Sequence, residues 1–192
     1  MSQTKSAVIR LLIASALAIP ALSQAQTAAP AAPAAGAAAA TLGKADQKVV
    51  VDMAMSNMAE VAAGKMALAK SQNPQVKTYA QKMIDDHTAA QGDVTTLAQA
   101  KGVTLPTDLD APHKAMAARL DNMSGGAFDK AYMKGAGVSD HTKMHNKLVK
   151  AASNAKDPDV KAAAAKMRPV VEQHLQMAKE QSATASASAV AR

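Results

Sequence analysis

No cysteine occurs among the 192 residues. That excludes disulfides, thiolate metal sites and the lipid-modified N-terminal cysteine that tethers many exported bacterial proteins. Aromatic residues are nearly as scarce, with no Trp, two Tyr and one Phe. Without stacking platforms, and with its lysines scattered along polar helix faces, the chain is not expected to bind nucleic acid. The one long apolar run, Leu11 to Leu22, is too short for a stable membrane span. No Ser, Cys or Gly-rich motif announces nucleophilic or phosphate chemistry.

What is present begins with a leader. Lys5 and Arg10 precede the apolar run and Ser23-Gln24-Ala25 follows it with small residues, so residues 1–25 read as a secretory signal peptide. The mature protein is expected in a bacterial periplasm, free of any integral span, with outer-membrane association or an envelope protein partner compatible with that location. Removing Lys5 and Arg10 leaves 20 basic against 15 acidic residues, a mild balance of +5. Residues 26–43 are an Ala/Pro-rich linker with the composition of an extended tether. Residues 182–192 are a Ser/Ala tail expected to be disordered. The domain should lie between, over residues 44–181.

Within it the chain repeats itself. Asn73-Pro74, Val76-Lys77, Ala80 and Lys82-Met83 return 84 positions later as Asp157-Pro158, Val160-Lys161, Ala164 and Lys166-Met167. In both copies a capping side chain is followed by Pro at the first helical position, where its missing N–H costs nothing. Val76, Ala80, Met83, His87, Ala90, Val94 and Leu97 then alternate at spacings of four and three, the seam of a packed helix. The second copy gives Val160, Ala164, Met167, Val171, His174 and Ala178.

Helix one is predicted over residues 45–71, with a stripe of Val49, Met53, Ser56, Glu60, Gly64 and Ala67. Helix two follows a short loop and ends at Lys101-Gly102. A long crossover, broken by Pro106 and Pro112, leads to helix three, which starts after Ser124-Gly125-Gly126 and ends near Ala155 with Gly135 and Gly137 as soft points. Helix four runs from Pro158 to Gln181, interrupted by Pro169. Two antiparallel hairpins joined by a long crossover between helices two and three give an all-α, ferritin-like four-helix bundle.

Counting from the hairpin turns, Glu60 stands 14 residues before Pro74 and His87 13 after it. His141 stands 17 before Pro158 and His174 16 after it. At about 1.5 Å per residue, all four come to a similar height near mid-bundle. Three imidazoles and a carboxylate are a ligand set for one divalent transition metal: Zn, Fe, Mn or Cu. The alternative is a metal-free polar network among the same groups. Further candidates are His145, one turn from His141, and Met83 and Met144, which would soften the site toward Cu(I) or else serve as core fillers. His113 falls in the crossover.

At this point Met58-Ala59-Glu60-Val61, Asn73-Pro74, Asp86-His87, Phe128-Asp129-Lys130-Ala131-Tyr132-Met133, Asp140-His141 and Asp157-Pro158 resemble the bacterial domain-of-unknown-function family 4142. The resemblance covers about Lys48 to Lys179. It implies an exported protein, often labelled an outer membrane protein, with a ferritin-like fold, and it brings no settled activity. Di-iron carboxylate bundles carry Glu-x-x-His on two helices, whereas Ile84 and Val171 stand three residues before His87 and His174. A di-iron oxidase is therefore disfavoured.

The expectation is a binding protein more than an enzyme, with no catalytic residue assigned and a storage, sensing or envelope-stress role. A structural or partner-binding periplasmic module is the alternative, and an oxidoreductase would need an open metal position.

Overall fold

A computed structural model describes residues 41–190, with side chains to residue 183. The expected leader and the linker up to residue 40 lie outside the described residues. The described chain is helical, with no strand. Its elements are α1 (Lys44–Lys70), α2 (Pro74–Ala100), α3 (Ala111–Asp121), α4 (Gly125–Tyr132), a π-helical segment (Met133–Asp140), α5 (His141–Asn154) and α6 (Pro158–Val190).

The repeat is capped alike in both copies. Asn73 Oδ1 accepts from the Gln75 backbone N–H at 2.9 Å, and Asp157 Oδ1 accepts from those of Asp159 and Val160 at 2.9 and 3.1 Å. The far end of α2 closes as a Schellman motif. Gly102, at φ +65°, donates to Gln99 O and Val103 donates to Ala98 O. The crossover holds α3, capped by Asp110, whose carboxylate accepts from His113 N.

Packing is most extensive between α1 and α2 and next between α5 and α6, with α6 also against α2 and the π-helical segment. Gly64 explains the close approach of the first pair. A Cβ there would lie 2.9 Å from Ile84 Cγ1 and 3.0 Å from Ala80 O. The predicted seam of α6 is buried at all six positions, and that of α2 is buried apart from the half-buried Ala90 and Leu97.

Three expectations are corrected. Helix three is not one α-helix but α4, the π-helical segment and α5, and both soft-point glycines fall in the wide turns. The second of them lets α6 approach, since a Cβ on Gly137 would meet Ala178 Cβ at 3.0 Å. Pro169 does not interrupt α6, which runs through it and past Gln181 to Val190. On α1 the buried stripe takes Val50 and Asn57 in place of Val49 and Ser56.

Two apolar clusters divide the core. One includes Val50, Met53, Val94, Leu148, Val160 and Val171. The other includes Ala67, Val76, Tyr79, Phe128, Tyr132 and Ala178, and so holds all three aromatics of the chain. On each long helix a polar residue sits between members of the two clusters: Asn57 and Glu60 on α1, His87 on α2, His141 at the start of α5 and His174 on α6. A polar layer therefore crosses the core at mid-height.

Candidate metal centre

His87, His141 and His174 meet in that layer. Their ring centroids form a nearly equilateral triangle with sides of 5.5 Å (His87 to His141), 5.2 Å (His87 to His174) and 5.4 Å (His141 to His174). All three are at most 2% exposed. One potential ligand atom from each lies within 4.8 Å of the others.

Each ring has one nitrogen held by an oxygen. His87 Nδ1 lies 2.9 Å from Asn57 Oδ1, His141 Nδ1 lies 2.8 Å from Ala136 O, and His174 Nε2 lies 2.7 Å from Asp86 Oδ2. A carbonyl or carboxylate oxygen only accepts, so the nitrogen facing it carries the proton. The other nitrogen of a neutral ring is then a bare lone pair. Those nitrogens are His87 Nε2, His141 Nε2 and His174 Nδ1, and none has a hydrogen-bond partner in the protein. Leaving a buried polar atom so placed costs about 1–3 kcal/mol.

The rings are neutral at pH 7. Burial, reinforced by repulsion between neighbouring rings once charged, brings His87 down to about 3. Burial brings His141 down to about 4 against the opposing bond to Ala136 O. Burial also holds His174 below its usual value despite the Asp86 carboxylate. Neutral imidazole is the form that binds metals.

Glu60 is buried in the same layer but stands behind His141, its Oε1 3.5 Å from Nδ1, the nitrogen that faces Ala136 O. It lies outside the group of residues whose ligand atoms converge. Burial, and then the Asp140 charge, raise its carboxyl well above the usual range. Burial and Glu60 in turn hold the Tyr79 and Tyr132 hydroxyls above theirs. Glu60 Oε2 and the Tyr132 hydroxyl have no protein partner.

The accessory candidates stand apart. His145 is partly exposed, 3.9 Å from Glu172. Met83 belongs to the aromatic cluster and Met144 to the other. His113 on α3 faces Asp110 and lines a cleft of about 530 Å³ together with Met55, Met116 and Asp140.

Two residues of the layer escape a count of inward positions. Asn57 is one step from the predicted Ser56, and the spacing Val50, Met53, Asn57, Glu60 carried its signal. Asp86, 30% exposed at its side chain, accepts from His174 and, at 2.8 Å, from Lys82 Nζ. Burial alone would raise its carboxyl, but the bonds from Lys82 and His174 outweigh it and hold the group low. Its signal was the Asp-His pair at Asp86-His87.

Three inward-facing neutral imidazoles with outer acceptors in place suit a transition-metal ion of borderline softness, with a fourth position open to water or another donor.

A family model described as "Domain of unknown function (DUF4142)" matches residues 30–180. No curated protein matches the chain. Among solved structures, "CopM in the Cu(II)-bound form" is similar at a TM-score of 0.61 and 17% identity, covering 72% of this chain and 96% of that one. At that identity the likeness is one of fold.

Proposed function

The chain belongs to the DUF4142 family, and we propose that it is an exported metal-binding protein holding one transition-metal ion at His87, His141 and His174. In this reading residues 1–25 are a leader, 26–43 a tether in the periplasm and 44–181 a ferritin-like four-helix bundle of two hairpins. The observation that carries it is three buried rings that each bring a ligand atom within 4.8 Å of the others, each fixed by an oxygen at one nitrogen and without a protein partner at the other. A cation satisfies all three at once. Glu60 stands behind His141 as an outer neighbour instead of joining the three rings.

Copper(II) is first among the candidate ions, ahead of Zn, Fe and Mn. Nitrogen donors bind it most strongly among the divalent first-row metals, and the structurally similar CopM is described as Cu(II)-bound. A set of donors exposed by no more than 2% suits holding an ion for storage, sensing or protection of the envelope better than turning over a substrate.

A metal-free polar core is the second reading. The edge-to-face packing of His141 against both His87 and His174 favours it. Against it, no hydrogen bond joins one ring to another, which a self-satisfied network requires. Metal analysis of untagged protein purified without chelators, followed by melting with added Cu, Zn, Fe or Mn, separates the two. One equivalent of bound metal, lost in His87→Ala, is expected. No metal and no thermal shift would leave the network.

A further inference from the structure

Rings exposed by no more than 2% need a route for the ion. A groove of about 510 Å³ runs between α2 and α6. His87 lines it, and His87 Nε2 is one of the three partnerless nitrogens. Asp86 lines it too, and is the one acid at the mouth that also touches a ring of the centre. Met53 and Met167 supply buried apolar wall around it. The cleft beside α3 contains none of the three histidines.

We propose that the α2–α6 groove is the entrance to the centre and that Asp86 is the carboxylate that receives an incoming divalent cation and passes it to His87 and His174. This rests on the metal-binding reading. Asp86 Oδ2 accepts from Lys82 on one side and from His174 on the other, while Oδ1 makes no hydrogen bond, so one acid spans solvent and interior. Lys82 is the cation it holds in the absence of metal, and an arriving ion must compete with that ammonium for the carboxylate. Lys166 on α6 also lines the groove and pairs with Asp93 on α2 at 2.7 Å. Ala90 on α2 and Ala163 on α6 keep the walls short where they face the groove.

Stopped-flow uptake of Co(II), followed by its visible absorption, tests this on the full chain. Asp86→Asn keeps an acceptor for His174 but removes the charge, and should slow association about tenfold or more. Lys82→Gln should do the opposite and speed it. Ala163→Leu should slow association and release by a common several-fold factor and leave the equilibrium affinity unchanged, because narrowing a passage alters both directions alike. Ala90→Leu narrows the same groove from the opposite wall should the first variant not fold. Ala115→Leu, in the cleft beside α3, should change neither rate. Normal affinity with unaltered rates in Asp86→Asn and both groove variants overturns the entrance and leaves the metal centre standing. A wild-type chain that takes up neither Co(II) nor Cu(II) at equilibrium overturns the metal-binding reading, and the entrance falls with it.

Discussion

Asn57 Oδ1 lies 2.9 Å from His87 Nδ1, so a hydrogen bond joins α1 to α2 at mid-height and orients the ring whose other nitrogen faces the centre. Outer partners of this kind fix both tautomer and direction, and their loss costs a metal site about 10–100-fold in affinity. Asn57→Ala is expected to weaken binding by that factor at unchanged stoichiometry, and to lower the stability of the metal-free protein by about 1–3 kcal/mol. Competitive metal titration and urea unfolding read the two effects. His145→Ala, remote from the triangle, should change neither, and equal affinity in Asn57→Ala would remove the outer bond from the account.

The metal-free protein should lose stability as pH falls below about 6.5. His87 and His141 hold off protons in the native state down to about 3 and about 4, whereas the unfolded chain binds them near 6.5. Across that window the unfolded state takes up protons the native state refuses, so stability falls by about 1.4 kcal/mol per pH unit for each ring. Glu60 has the opposite sign. Its raised native value makes the unfolded chain the more acidic, so its contribution declines as pH rises above the ordinary carboxyl range. The rings outnumber the acid, which puts the maximum near pH 6.5. Unfolding midpoints from pH 4 to 9 should show both limbs, with Glu60→Gln steepening the acid limb and flattening the alkaline one. A profile level from pH 5 to 8 would contradict the assignment.

Gly64 and Gly92 make a matched pair. Ala at 64 would press its Cβ on Ala80 O and Ile84 Cγ1, and a backbone oxygen cannot swing aside. Gly64→Ala should destabilise by about 1–3 kcal/mol, overriding its gain in helix propensity. At Gly92 a Cβ meets nothing within 4 Å, so Gly92→Ala should stabilise by about 1 kcal/mol. Thermal unfolding of the two variants checks the signs.

Asp46 is buried at the start of α1 and accepts from the backbone N–H groups of Lys156 and Asp157 at 2.9 and 2.8 Å, tying the first helix to the turn of the second hairpin. Asp46→Ala should lower stability by about 1–3 kcal/mol. Metal affinity should stay unchanged, because Asn57 lies 11 residues on, about 16 Å along the helix. A parallel loss of affinity would show that the layer depends on that tie.

The three rings were legible because a constant rise per residue turns distance from a hairpin turn into height, and the two capped prolines mark those turns. The side of a ring on which a neighbour stands is not encoded that way. Glu60 matches His87 in height yet sits behind His141. The phase of α1 was ambiguous by one residue because Ser56 and Asn57 are both small and polar, and Ser56 masked the residue that bonds His87. Asp86 was passed over because it reaches His174 from beside the seam instead of within it. The π-helical turns leave no periodic mark in sequence beyond the two glycines they contain.

Those wide turns have a consequence for changes in chain length. Over Met133–Asp140 each residue advances the backbone around the helix axis by less than in an α-helix. Deleting a single residue there would let ordinary turns re-form with α5 in nearly its present phase, with hairpin loops and caps untouched. His141 would then keep its aim at the triangle, which makes this stretch a place where the loss of one codon is absorbed by the backbone without re-aiming a donor.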